Sequence, residues 1–204
     1  MSAATGVYAV VPVKDLRGTK SRLAPILDPG ARAGLTLYMM GRVVRAILEA
    51  DVGDVCVVSP DRIVLEEAKR RGATPLLQES RGLNPALEEG RRRAGDLGAS
   101  ALLVLPADLP LLEAEDVQAV LEEAGEGPSA VISPDGARSG TNALLIRPPD
   151  VLPFAFGADS FEAHLGAARG RGLHVKVCER PHLAFDLDTA GDLAHLRKSG
   201  VAHP

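Results

Sequence analysis

Val7 to Val13 (VYAVVPV) carries no polar side chain at alternate positions, and that run constrains everything that follows it. A half-exposed strand would alternate apolar and polar residues; an unbroken apolar stretch suits a strand buried on both faces, as in a parallel sheet covered by helices. The next segments fit that frame. Between Ala31 and Glu49, Leu35, Met39, Val43 and Ile47 fall four apart, one stripe of an amphipathic helix. Asp54 to Ser59 (DVCVVS) is a second predicted strand, Ile63 to Arg71 a short helix ended by Gly72, and Ala73 to Leu77 a third strand. Asn84 is a candidate cap for a helix that runs to about Leu97 and is closed by Gly98. Ala101 to Leu105 (ALLVL) is the most hydrophobic run and is expected at the centre of the sheet. Ala114 to Ala124 reads as a helix with Glu115 and Asp116 in its first turn, where the helix dipole favours acids. This β-α-β-α order predicts a parallel sheet sandwiched by helices.

After the turn Gly125-Glu126-Gly127-Pro128 the pattern changes. Ala130 to Ser133 and Asn142 to Ile146 are short strands separated by the polar loop Pro134 to Thr141. Phe161 to Arg171 reads as a helix, Leu173 to Cys178 and Phe185 to Leu187 as strands, and Thr189 to Lys198 as the last helix. No composition break, low-complexity linker or repeat divides the chain. The expectation is an α/β fold over 1–204, a single domain with a mixed, mostly parallel sheet flanked by helices.

Composition excludes several classes. Lys and Arg total 23 against 27 Asp and Glu, a net charge of −4, and aromatic residues make up 3% with no Trp. A nucleic-acid partner calls for a basic face and, for single strands, stacking rings, so none is expected. Cys56 and Cys178 each lie in an apolar stretch and read as buried, reduced thiols of a cytoplasmic protein. There is no basic-then-apolar leader and no run of membrane-spanning length, so no membrane association is expected.

Chain leaving the carboxyl end of a parallel strand is where open α/β sheets bind ligands. There, Lys14, Arg17, Lys20 and Arg22 accompany Gly18, Thr19 and Ser21. That cluster in an acidic chain suggests an anionic ligand, with phosphate the leading candidate; a solvated basic turn is the alternative. A dinucleotide G-x-G-x-x-G is absent. Lys20-Ser21 matches the end of a P-loop, but Thr19 and Val13 stand where both glycines are required for the backbone to wrap phosphate. What remains is phosphate binding through side chains.

Acids complete the set. Asp108, bracketed by Pro106 and Pro110, ends the most apolar strand, and Asp186 and Asp188 project to the same side of an extended Phe185-Asp186-Leu187-Asp188-Thr189. A few carboxylates with phosphate oxygens and water are how Mg²⁺ is commonly held in phosphoryl-transfer sites. Taken singly, Asp186 and Asp188 serve equally well as strand-end or helix-capping acids. His164, His174, His182, His195 and His203 have no neighbouring nucleophile in a recognisable arrangement and read as surface or structural.

Five blocks recur in order over nearly the whole chain. They are Val11-Pro12-Val13-Lys14 through Lys20-Ser21-Arg22-Leu23, Pro106-Ala107-Asp108-Leu109-Pro110, Ser139-Gly140-Thr141-Asn142-Ala143-Leu144, Phe156-Gly157-Ala158-Asp159-Ser160-Phe161 and Phe185-Asp186-Leu187-Asp188-Thr189. The set resembles the guanylyltransferases of coenzyme F₄₂₀ biosynthesis, which activate phosphoenolpyruvate or 2-phospholactate with GTP. The resemblance implies a Rossmann-like nucleotidyltransferase fold and Mg²⁺ as cofactor. It puts Lys14, Lys20 and Arg22 at the GTP phosphates, Lys20 and Asp108 at the chemistry, and Asp108 with Asp188, in preference to Asp186, at the metal. It further implies Thr141, Gly157 and Ser160 as acceptor-binding residues and Gly82-Leu83-Asn84 as purine-pocket lining. Ser160 is equally a plain helix cap, and Gly82 with Asn84 equally a turn and a cap. The Ala-, Gly- and Arg-rich composition resembles that of a GC-rich bacterium, and bacterial members of the family generally take phosphoenolpyruvate; the product then passes to the next enzyme of the pathway. Two other classes stay open: a sugar-phosphate or molybdopterin nucleotidyltransferase, whose glycine-rich L-x-G-G-x-S-x-R-M-G signature Val13 to Gly18 does not match, and a non-catalytic nucleotide-binding module.

Overall fold

Seven strands and six helices alternate along a computed structural model that describes residues 6–198. The strands are β1 (Val7–Pro12), β2 (Asp54–Ser59), β3 (Thr74–Leu77), β4 (Ala101–Val104), β5 (Ser129–Pro134), β6 (Thr141–Arg147) and β7 (His174–Val177). The helices are α1 (Pro29–Glu49), α2 (Arg62–Arg70), α3 (Leu83–Asp96), α4 (Ala114–Glu122), α5 (Ser160–Gly170) and α6 (Ala190–Lys198). All strands join one sheet in the order β3-β2-β1-β4-β6-β5-β7, with β4 in the middle as its composition predicts. Strands β1 to β4 are mutually parallel where they pair, β6 runs antiparallel to both β4 and β5, and β7 returns parallel to β5.

The period of two along β1 divides the core. Val7, Ala9 and Val11 face the layer formed by α1, α2 and α4, where Val43, Ile47, Val64, Ala68, Val117 and Val120 are buried. Tyr8 and Val10 face α3 and α5, meeting Leu87, Ala94, Phe161 and Leu165. Gly90 lets α3 press against the sheet, because a Cβ there would come within 2.7 Å of Val10 Cγ1. A third cluster holds Leu23 after β1, Leu35 and Met39 of α1, Leu187, and Leu193 and Leu196 of α6. Leu23 and Leu187 are both fully buried there. Burial of these two leucines, worth about 1.5–3 kcal/mol each, draws the loop after β1 and the segment before α6 to the same corner of the molecule.

Several boundaries differ from the sequence expectation. Helix α1 begins at Pro29, not Ala31; Asp28 accepts the Ala31 N–H at 2.8 Å, and Pro29 fills a position that needs no N–H. Gly82, at φ 104°, occupies the cap position of α3, so Asn84 lies inside the first turn and is not the cap. Asp159, left-handed at φ 55°, precedes α5, and Ser160 is the first helical residue. Phe185–Leu187 is not a strand. Both edges of β4 are already paired with β1 and β6, and the segment makes a single backbone bond there, from the Leu187 N–H to the Asp108 carbonyl at 3.0 Å. Asp188 is not the cap of α6 either: Thr189 and Asp192 cap it reciprocally, the Asp192 N–H donating to Thr189 Oγ1 and the Thr189 N–H to Asp192. Among the described residues no helix is long and apolar enough to cross a membrane. His203 lies outside the described residues.

Truncating Leu187 to Ala is expected to lower unfolding free energy by about 2–5 kcal/mol, as for other large-to-small changes in a packed core. Urea denaturation at neutral pH measures it; an unchanged midpoint would show that this cluster does not anchor the segment bearing Asp188.

Candidate active site

Strand β1 has β2 on one side and β4 on the other, so the chain reverses its lateral direction across the sheet between β1 and β4. Loops diverge at such a point, and a cleft of about 680 Å³ opens there beyond the carboxyl ends of the strands. That volume falls within the range of small-molecule sites. One wall is the loop after β1, including Lys14, Lys20 and Arg22; the opposite wall is the Gln78–Leu83 turn leading into α3. Asp108, Asp188 and Phe156 border it as well.

Internal bonds hold the basic loop in shape. Asp61, the cap of α2, accepts the Leu16 N–H at 3.1 Å with one oxygen and the Ile63 N–H at 2.9 Å with the other. The Thr36 hydroxyl donates to the Arg32 carbonyl at 3.0 Å, so in the buried 2.8 Å contact between hydroxyls Thr19 is the donor. Arg17 departs from the expected phosphate set: its guanidinium turns back onto Asp15 at 2.5 Å and does not line the cleft.

Lys20 does the reverse. Its backbone is left-handed (φ 47°, ψ 45°), its side chain is only 7% exposed, and Nζ donates to Asp108 Oδ2 at 3.0 Å and to Asp188 Oδ1 at 2.9 Å. Burial alone would favour the neutral amine; Asp108 and Asp188 outweigh it and push the Lys20 pKa up. Arg22 Nη1 stands 3.6 Å from the second oxygen of Asp188. Asp186 is held instead by Asn142, whose Nδ2 donates to it at 3.3 Å. Burial first, then the charges of Asp108 and Asp188, raise the Asp186 pKa. The three acids therefore crowd one corner, with Lys20 between two of them.

Among the described residues no three His, Cys, Asp or Glu side chains cluster tightly enough to cage a metal alone. Two converging carboxylates beside a cleft suit Mg²⁺, which takes one or two carboxylates plus phosphate oxygens and water.

Of the proposed acceptor residues, Thr141 begins β6, Ser160 begins α5 and Gly157 lies just before it; none of the three lines the main cleft, whose border they approach through Phe156. Gly157 (φ 142°) follows Phe156 of the cleft border, and Phe161 N–H, one residue into α5, donates to the Ser139 carbonyl just before β6. Thr141 adjoins Asn142, the partner of Asp186. Thr141 Oγ1 lies 3.0 Å from His164 Nδ1, and His164 Nε2 accepts the Ala155 N–H at 3.0 Å. Thr141, Ser160 and His164 are buried.

Asn84, expected in the purine pocket, spends both ends of its amide elsewhere. Nδ2 donates to the Phe156 carbonyl at 3.1 Å and Oδ1 accepts the Phe156 N–H at 2.9 Å. It latches the loop before α5 to α3, while Gly82 and Leu83 line the cleft. Sequence reasoning passed over Gln78, Ser80, Arg81 and Glu89. The first three line the cleft, and Glu89 holds their turn by accepting the Ser80 N–H at 2.8 Å, the Glu79 N–H at 3.1 Å and the Ser80 hydroxyl. Burial opposes the Glu89 charge, but the Ser80 and Glu79 donors outweigh it and hold its pKa down. The available signal was a carboxylate on the inward stripe of α3, beside Ala86 and Gly90.

Burial lowers the His164 pKa from 6.5 to about 4. A histidine held neutral when folded stabilises the protein fully above its unfolded pKa, and that contribution fades as pH falls from about 6.5 towards 4. About 3 kcal/mol is at stake over that window. Urea denaturation at pH 7 and pH 4.5 should show a larger acid loss for the parent than for His164→Gln; equal losses would contradict a neutral buried ring.

A family described as guanylyl transferase CofC-like matches residues 7–201. The chain is 66% identical over 194 residues, 95% of each protein, to a phosphoenolpyruvate guanylyltransferase of Rubrobacter xylanophilus. It is 46% identical to one of Sphaerobacter thermophilus, over 92% of this chain and 91% of the relative. In fold it is similar to the solved 4-diphosphocytidyl-2C-methyl-D-erythritol synthase of Anaerococcus prevotii. That match has a TM-score of 0.66 at 12% identity and covers 95% of this chain and 97% of the other. The mixed sheet is thus a nucleotidyltransferase fold, and the chain belongs to the CofC-like guanylyl transferase family.

Proposed function

We propose that this protein transfers GMP from GTP to phosphoenolpyruvate, releasing pyrophosphate and forming enolpyruvoyl-2-diphospho-5'-guanosine for coenzyme F₄₂₀ biosynthesis. The observation that carries the reading is 66% identity, over 95% of both chains, to a relative named for that activity. Convergence of Asp108, Asp188 and Lys20 on a cleft of suitable size supports it.

The chemistry follows from charge. An ionised phosphate oxygen of the acceptor attacks the α-phosphorus of GTP, and the bond to the bridging oxygen of pyrophosphate breaks. Both reactants are polyanions, so repulsion and misalignment are the main obstacles. Lys20, Arg22 and Lys14 offset phosphate charge along one wall. Thr141, Gly157 and Ser160 bind the acceptor beside the amino end of α5, whose dipole favours anions. Asp108 and Asp188 would hold Mg²⁺, which when bound would supply Lewis-acid polarisation of the α-phosphate and charge neutralisation of the leaving group. The product is an activated donor for transfer to a deazaflavin precursor by the next enzyme. The buried free thiols Cys56 and Cys178 suit a reducing cytoplasm.

Purified protein with GTP, Mg²⁺ and phosphoenolpyruvate should release pyrophosphate, and EDTA should stop it. Asp108→Asn is expected to cut kcat by about 10²-fold or more, the scale seen when an electrostatic stabiliser is removed. Turnover with 2-phospholactate but not phosphoenolpyruvate would overturn the acceptor, and parental turnover by Asp108→Asn would remove that residue from the chemistry.

A further inference from the structure

We infer that His164 is a positioning residue that sets the Thr141 hydroxyl as a hydrogen-bond donor for the anionic acceptor; this rests on the reading of Thr141 as acceptor-binding. The Ala155 N–H can only donate, so the His164 Nε2 that receives it at 3.0 Å carries no proton. Burial keeps the ring neutral, which leaves its single proton on Nδ1. Nδ1, 3.0 Å from Thr141 Oγ1, is therefore the donor in that contact, and the hydroxyl is the acceptor.

The direction of this bond decides what Thr141 offers. A hydroxyl has one hydrogen and two lone pairs. With a lone pair engaged by Nδ1–H, its hydrogen stays available for a carboxylate or phosphate oxygen. In the other tautomer Thr141 would spend its hydrogen on Nδ1 and present only lone pairs to an anion. The tautomer thus separates attraction from repulsion at one buried hydroxyl.

The surrounding packing keeps the ring in register. His164 is completely buried on α5, and the Phe156 ring meets it edge-on with centroids 4.8 Å apart. Asn84 of α3 grips both backbone groups of Phe156, next in chain to Ala155. A continuous path therefore runs from α3 through the 155–156 backbone to His164 and Thr141 on β6. A histidine with no nucleophile near it acquires a reason to be there.

The test is steady-state kinetics with pyrophosphate readout, varying phosphoenolpyruvate and GTP separately. In His164→Gln the longer amide can still receive the Ala155 N–H but supplies no donor at Nδ1; in His164→Asn an amide N–H falls near the Nδ1 position. Loss of one charge-assisted hydrogen bond predicts that His164→Gln raises the phosphoenolpyruvate KM about 10-fold or more, with the GTP KM unchanged. His164→Asn should recover most of that loss. Thr141→Val should show a comparable defect, and the double variant Thr141→Val/His164→Gln should be no worse than Thr141→Val alone. A folded His164→Gln with the parental phosphoenolpyruvate KM, equal rises in both KM values, or additive defects would overturn the positioning role. A parental KM in Thr141→Val would instead overturn the acceptor reading at that residue. Should His164→Gln not fold, ¹⁵N shifts of the parent ring decide: a protonated Nδ1 with a bare Nε2 is expected, and the reverse tautomer refutes the inference.

Discussion

One buried ammonium group organises this molecule's working end. Lys20 Nζ lies between Asp108, which follows β4, and Asp188, which precedes α6. These residues are 88 and 168 positions from Lys20 in the chain, so only the tertiary fold can bring them together. Removing Lys20 would leave Asp108 and Asp188 without the buried cation they share, with only the exposed Arg22 3.6 Å from Asp188. The left-handed backbone of Lys20, which costs a non-glycine residue about 1–2 kcal/mol, is tolerated because the loop on either side is tied down. Thr19 is bonded to Thr36, Leu16 to Asp61, and Leu23 is sealed into the cluster with Leu187.

The polar site and the apolar cluster depend on each other. Leu187 is buried beside Leu23, Leu35 and Met39, and the same segment donates its backbone N–H to the Asp108 carbonyl. The hydrophobic term draws the segment down, and the hydrogen bond sets its register. The charges of Asp188 and Lys20 then face each other at the rim of the cleft. Opposite them, Glu89 organises the turn at 78–83, and Asn84 fixes the loop that leads to α5. Hydrogen bonds within the protein thus shape both walls, which suits a reaction whose main obstacle is alignment.

Much of this was legible in the letters, for identifiable reasons. Strands β1 and β4 are continuous apolar runs and α1 has an uninterrupted stripe, so period and composition point the same way. The basic loop and Asp108 stood out because charge at the carboxyl end of a buried strand has few structural uses, whereas Asp188 was singled out from Asp186 only by the family resemblance. Elsewhere local chemistry misled. An Asn after a Gly is what a helix cap looks like, yet Asn84 is claimed by the backbone of Phe156, 72 residues away. Phe185-Asp186-Leu187-Asp188 alternates like a strand, but it lies beside Asp108 at the end of β4, both of whose edges are already paired with β1 and β6. His164 meets Thr141 and Ala155 across three elements, and no spacing along the chain encodes that meeting.

Thermal unfolding of Lys20→Met beside the parent, without nucleotide and with or without Mg²⁺, tests the central claim most directly. The variant should melt several degrees lower, because opposed acids lose their shared cation, and Mg²⁺ should raise its Tm more than the parent's. A Lys20→Met protein that melts with the parent, and is indifferent to Mg²⁺, would contradict it.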